Sequence, residues 1–202
     1  RSGVYRNILL IGADILSRWV DWDDRRSCIL FGDGAGAVVI QANETDQLLG
    51  FSLHSDGPLN HHLNLPFGQQ LETKLGDATL AQGGFQPITM NGQEVYRFAV
   101  TKVPEVVEKS LFNANLTTDA VDWLVLHQAN QRILDAAANR LKIPAEKVLS
   151  NLAHYGNTSA ATIPIVLDEA VRQGKIQSGQ ILAMAGFGAG LSWGSAIVRW
   201  GR

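Results

Sequence analysis

The sequence contains one cysteine, Cys28, which permits no internal disulfide; a reducing, cytoplasmic setting is the expectation. No apolar run approaches the roughly 20 residues needed to span a bilayer, and RSGVYRNILL lacks the charged, apolar and small-residue order of a secretory signal. Charge of either sign is scarce. Lys and Arg total 17 against 19 Asp and Glu, a formal net charge of -2, which leaves no broad basic field for a nucleic-acid backbone. Neither a membrane nor nucleic acid is an expected partner. No Cys/His cluster has zinc spacing, and the adjacent His61 and His62 cannot easily face one ion together, so no metal is expected. What is present is 202 residues, 46% of them hydrophobic, enough for one ordinary globular domain or two small ones. The chain opens on Arg1 rather than Met and reads as part of a longer product.

Residues 7–12 (NILLIG) form a short β-branched run, and 28–40 (CILFGDGAGAVVI) read as two buried strands around a glycine turn. Residues 43–92 are rich in turn formers, among them Asp56-Gly57-Pro58, Gly76 and Gly83-Gly84, and read as a long surface excursion without legible function. From Gln93 the period changes. Val95, Phe98, Ala99, Val103, Val106, Val107 and Leu111 predict a helix over about 93–111, kinked at Pro104. A strand follows at 121–126, then a helix whose inner face is Ile133, Leu134, Ala137 and Leu141, and a short strand at 148–151. Thr158 or Ser159 is placed to cap a helix that runs to about Arg172, with Gly174 just past its end. Strands at 181–185 and 195–200 flank a glycine-rich turn. The alternation of strand and helix predicts an α/β sandwich. ILLIGAD (8–14) is echoed by ILAMAGF (181–187), and AGAVVI (35–40) by WGSAIV (193–198), which suggests a duplicated strand, glycine turn and strand.

Several residues are candidates for chemistry. His127 ends a buried strand, where open α/β sheets gather ligands, but it also reads as a histidine satisfied within the core. Asn157, immediately before a helix, reads either as an ordinary N-cap or as a donor. Together an imidazole and a carboxamide are able to polarise one carbonyl oxygen as it becomes an enolate. Gly186-Phe187-Gly188-Ala189-Gly190 is either a tight β-turn or a source of a backbone oxyanion donor. Gly32-Asp33-Gly34-Ala35-Gly36 lacks the GxGxxG spacing and precedes strand rather than helix, which favours a structural turn over a nucleotide loop. Cys28 lies in an apolar run without an activating helix start and reads as a small packed hydrophobe, not a nucleophile. Arg97, Arg132, Arg140, Lys142 and Lys147 form either a local basic patch or solvated helix faces.

The segments DWLVLHQANQRI around His127, HYGNTSAATIPIVLDEAV around Asn157 and GFGAGLSWGSAIVRW resemble the β-ketoacyl-acyl-carrier-protein synthase III family, with DRRSCILFGDGAGAVVI and MNGQEVYRFAV similar in the same order. The resemblance implies a thiolase-like fold, a layered α-β-α-β-α sandwich of two similar halves. The duplication above fits it. Residues 1–42 would be the end of the first half, 43–92 a connecting excursion, and 93–202 the second half. The implied reaction is a decarboxylating Claisen condensation of acetyl-CoA, or another short acyl-CoA, with malonyl-acyl-carrier protein to begin fatty-acid synthesis. His127 and Asn157 would stabilise the enolate, and the Ala189 amide would complete the oxyanion hole. Arg25, Gly92, Gln93, Tyr96, Ala129, Asn130 and Phe187 would contact coenzyme A or line its tunnel. Arg132 and Arg97 would hold the acidic carrier protein, in a homodimer that needs no metal or other cofactor.

By the same resemblance, the nucleophilic cysteine belongs upstream of Arg1, and Cys28 does not occupy its place. Residues 1–202 alone are expected to expose apolar surface, to aggregate and to be inactive in condensation. Two alternatives stay open at this level. One is a catalytically silent truncated paralogue that binds acyl-carrier protein or pairs with an intact synthase. The other is a thiolase-superfamily relative using a different acyl starter.

Overall fold

The period change at Gln93 falls at the start of a helix that spans Gly92–Asn113, and the strand expected at 121–126 spans Trp123–Leu126. The computed structural model describes residues 4–75 and 78–201, and the predicted turn residue Gly76 lies outside them. In chain order the elements are β1 (Asn7–Ile15), β2 (Asp33–Gln41), β3 (Leu48–Ser55), β4 (Leu63–Asn64), β5 (Phe67–Leu75), β6 (Ala78–Phe85) and β7 (Thr89–Met90). They continue as α1 (Gly92–Asn113), β8 (Trp123–Leu126), α2 (Gln131–Leu141), α3 (Leu152–Tyr155), α4 (Thr162–Arg172), β9 (Ile181–Gly188) and β10 (Ser192–Arg199).

A four-stranded mixed sheet in the order β3-β10-β9-β8 organises the second half, with β8 parallel to β9 and the other pairs antiparallel. Because strand side chains alternate, this sheet feeds two cores. Leu124, Leu126, Ile181, Ala183, Ala185 and Ile197 pack with α1 and α2 on one side. Val125, Leu182, Met184 and Val198 pack on the other against Val166, Leu167 and Ala170 of α4. Helix α1 is capped by the Asn91 side chain, which accepts the Glu94 N–H, and it continues without a break through Pro104.

On the far side of α4 lies the antiparallel pair β1–β2, in register from Asn7 with Gln41 to Ile15 with Asp33. The layers therefore run helix (α1, α2), sheet, helix (α4), sheet (β1, β2). The outer face of β1–β2 is open: Leu9 is 62% exposed, Ile11 60% and Val39 72%. The predicted buried character of these strands is thus not found among the described residues; one face meets α4 and the other meets solvent.

Three further expectations are corrected. First, residues 28–30 are turns and Phe31 makes only an isolated bridge to Asn157, so no strand forms there, and Gly34 and Gly36 lie inside β2 rather than in a turn. These glycines have no positive φ. A Cβ on Gly36 would come within 2.7 Å of Pro164, and one on Gly34 within 3.0 Å of Ile165, so they are small because the start of α4 crosses the sheet there. Second, Leu48–Ser55 is not surface excursion but the edge strand β3 of the four-stranded sheet, while β4–β7 and β5–β6 form separate two-stranded ribbons. Third, Val148 makes only an isolated bridge to Leu124 instead of a strand. Gly174, with φ +71, does terminate α4 as expected.

Candidate active site

Strand β8 delivers His127 to its carboxyl end, where the ladder runs one residue further: the His127 N–H donates to the Ala185 carbonyl at 2.8 Å. Gln128, wholly buried, braces this exit. Its Nε2 donates to the Leu126 and Leu149 carbonyls at 2.8 and 3.3 Å, and its Oε1 accepts the Asn151 N–H at 3.1 Å. One side chain thus joins the end of β8 to the segment leading to Asn157. That segment is tied again at Glu169, which accepts from Asn151 Nδ2 at 2.8 Å and from the Tyr155 hydroxyl at 2.6 Å.

Asn157 is clamped by the first half of the chain. Its N–H donates to the Leu30 carbonyl, and its carbonyl accepts the Gly32 N–H, both at 2.9 Å. Gly156, at φ +66, makes the turn into this clamp, and a Cβ there would sit 3.1 Å from the Leu30 carbonyl oxygen. The Asn157 side chain accepts the Ser159 N–H at 2.9 Å. A backbone N–H can only donate, so the contacting atom is Oδ1 and the Asn157 NH2 is the end left to donate elsewhere. Neither Thr158 nor Ser159 caps the following helix through its side chain, contrary to expectation; the turn at 159–161 runs straight into α4.

His127 and Asn157 line one cavity of about 480 Å³, walled by both halves of the chain. Gly92, Tyr96, Ala129, Asn130, Phe187 and Ala189 line it too, so eight of the twelve expected site residues converge there. The other four, Arg25, Gln93, Arg97 and Arg132, are exposed and do not line it. Arg97 pairs with Glu94 at 2.7 Å, and the Arg132 guanidinium stacks 5.2 Å above the Tyr96 ring at the cavity rim. Gly186, Phe187 and Gly188 belong to β9, so the turn proper begins at Ala189. Phe187 meets the His127 ring edge to face at 5.4 Å. Cys28 is half-buried in the turns before β2 and does not line the cavity.

Some cavity residues were not foreseen. Leu63, Asn64, Leu65, Ile88 and Met90 come from the stretch read as functionless excursion, and Leu30 and Phe31 from the misread strand. Only the apolar character of these short pieces marks them in the sequence. Thr162 was also missed: its hydroxyl lies 2.7 Å from Nδ1 of His127.

Burial pushes the His127 imidazole from 6.5 down to about 4, so the ring is neutral around pH 7. The folded value lies below the unfolded one, so the unfolded chain takes up the proton first as pH falls. Stability is unaffected above about pH 6.5 and is lost progressively towards pH 4. Chemical denaturation across this interval should show the native protein losing more stability than His127→Gln; equal losses would assign the titration to other groups.

Comparison with known proteins gives this cavity a context. Residues 111–200 match the family model described as 3-oxoacyl-[acyl-carrier-protein (ACP)] synthase III C terminal, and residues 1–57 match its companion, 3-oxoacyl-[acyl-carrier-protein (ACP)] synthase III. The chain is 67% identical over 202 residues to a beta-ketoacyl-[acyl-carrier-protein] synthase III of Acaryochloris marina and 65% identical to one of Trichormus variabilis. In each case all of this chain aligns with 61% of the relative, so the chain spans about three fifths of the length of these curated relatives. The crystal structure of 3-oxoacyl-[acyl-carrier-protein] synthase III from Aquifex aeolicus VF5 superposes with a TM-score of 0.87 at 40% identity, covering 98% of this chain and 59% of that one. The α/β architecture is that of the thiolase-like fold. Matched by both models of one family, and over its whole length by that family's members, the chain belongs to the 3-oxoacyl-[acyl-carrier-protein] synthase III family.

Proposed function

We propose that the protein containing this chain is a β-ketoacyl-acyl-carrier-protein synthase III, an acyltransferase that condenses acetyl-CoA, or another short acyl-CoA, with malonyl-acyl-carrier protein. The observation that carries this reading is the convergence of His127 and Asn157 on one largely apolar cavity, with the Asn157 Oδ1 already engaged by the Ser159 N–H. In the proposed reaction a cysteine thiolate outside residues 1–202 first takes the acyl group from coenzyme A, whose thiol leaves. The malonyl C–C bond then breaks and carbon dioxide departs. The electron pair passes to the thioester oxygen, held by hydrogen bonds from His127 and Asn157. The resulting carbanion attacks the acyl-enzyme, the C–S bond breaks, and the thiolate is restored. A backbone amide at Ala189 serves the oxyanion of this second step. Thiolate, imidazole and amide suffice, without metal or other cofactor.

Gly92, Tyr96, Ala129 and Asn130 form the wall along which a pantetheine arm would run, with Gln93 beside its mouth and Arg25 towards the nucleotide end. Arg132 and Arg97, exposed near the rim, are suited to an acidic carrier protein. Arg132→Glu in the full-length protein should weaken carrier-protein binding, more at low salt than at high, while acetyl transfer from coenzyme A is nearly unchanged. Equal loss of both would remove Arg132 from this role. No helix among the described residues is long and apolar enough to cross a membrane; a cytoplasmic homodimer is part of the proposal.

The alternative of a catalytically silent carrier-protein binder has no need of the paired donors kept in this cavity. Full-length protein supplied with acetyl-CoA and malonyl-acyl-carrier protein should release coenzyme A and carbon dioxide in equal amounts and form acetoacetyl-acyl-carrier protein. Carrier-protein binding with no product would favour the silent reading.

A further inference from the structure

Thr162 opens α4 directly beneath the imidazole. It is 2% exposed, and its hydroxyl oxygen lies 2.7 Å from Nδ1 of His127 and 2.9 Å from the Ser159 carbonyl oxygen. A threonine hydroxyl has one proton, so it donates to only one of these neighbours. The Ser159 carbonyl can only accept, so a hydrogen bond at that 2.9 Å contact would use the Thr162 proton; that carbonyl also accepts the backbone N–H of Thr162 at the end of the 159–161 turn and is satisfied without the hydroxyl. Nδ1 has no second partner among the described residues, and Nε2 has none at all there, which leaves Nε2 to whatever occupies the cavity.

The chemical need decides between the two placements. A neutral imidazole has one N–H, and which nitrogen carries it is set by the hydrogen bond at the other. If Nδ1 keeps the proton and donates to Thr162, Nε2 presents a lone pair to the cavity and repels an enolate oxygen. If Thr162 donates to Nδ1, Nε2 carries the proton and points a donor at that oxygen. We propose that Thr162 is a positioning residue whose hydroxyl donates to Nδ1 of His127 and so holds the ring as the Nε2–H tautomer facing the cavity. This deepens the synthase reading and rests on it both for the choice of tautomer and for its catalytic consequence. The buried environment that keeps the ring neutral near pH 7 makes the tautomer matter, because an imidazolium would donate from both nitrogens whatever Thr162 did.

The test is nitrogen NMR of the full-length protein labelled in histidine at pH 7, with His127 assigned by the signal that His127→Gln removes. The native protein and Thr162→Ser should carry the ring proton on Nε2, and Thr162→Val, which keeps the shape and removes the hydroxyl, should lose that preference. In parallel, Thr162→Val should lower kcat for malonyl-thioester decarboxylation at least ~10-fold with little change in KM, and Thr162→Ser should recover most of it. A native ring protonated on Nδ1 overturns the proposal without any variant. So does an unchanged tautomer in Thr162→Val. Should His127→Ala leave decarboxylation intact, the synthase role of His127 fails while the spectra still decide the role of Thr162.

Discussion

Asn157→Ala in the full-length protein should cut malonyl-thioester decarboxylation by about 10²- to 10³-fold, and His127→Ala by a similar factor, the cost of removing one preorganised donor. Binding of the malonyl thioester should change far less, because each hydrogen bond strengthens as the carbonyl oxygen gains charge in the transition state. Combining the two substitutions should cost less than the product of the separate losses, since both donors serve one oxygen. Asn157→Asp separates the catalytic reading from the capping one. Aspartate is as good a cap as asparagine and can still accept the Ser159 N–H that Oδ1 now accepts at 2.9 Å. It also replaces the NH2 donor by an anionic oxygen. Retained stability with lost decarboxylation is the expected result; an active Asn157→Asp enzyme would reduce Asn157 to a turn residue.

The largest structural effect is expected at Gly12→Val. Gly12 lies in β1, where a Cβ would stand 2.2 Å from the Ala160 carbonyl oxygen, 2.6 Å from its carbonyl carbon and 3.2 Å from the Ala161 nitrogen. All three are backbone atoms, so no side chain can rotate out of the way. Overpacking against so rigid a neighbour should destabilise the full-length protein by about 3 kcal/mol or more, measured by denaturant unfolding. The effect should reach the site as well. The segment that must yield is the turn carrying Ser159 to Thr162, between the Asn157 side chain and the His127 ring, so decarboxylation should fall even in the fraction that remains folded. Gly57→Ala, at an open position where a Cβ meets nothing within 4 Å, serves as the control and should be nearly neutral. A Gly12→Val protein of native stability would mean that the close approach of β1 to the 159–161 turn is not required.

The stretch from Gln93 onward was legible because its two periodicities are regular and its elements lie near one another in the chain. The apolar repeat of α1 and the alternating strands β8 and β9 each bury residues on local rules. The first ninety residues were less legible. Short apolar pieces such as CILF have no period to read, and nothing local distinguishes an edge strand such as β3 from surface chain. The glycines of GDGAG misled for a different reason. Glycine is used both where φ must be positive and where another segment must pack close, and only the second holds here.

Alone, the sequence determined the class of fold, the alternation of elements from 93 to 202, and the residue types able to polarise a carbonyl, His127 and Asn157, along with the family motifs around them. Tertiary structure decided that these two residues share a cavity, that residues 30–32 clamp Asn157, that excursion residues Leu63 to Leu65 complete the wall, and that Thr162 stands against Nδ1 of His127. Backbone periodicity and turn chemistry act over a few residues and are written in order along the chain. The approach of β8, the 157–162 segment and the first half depends on the volumes and directions of side chains 35 to 146 residues apart, which no local pattern encodes.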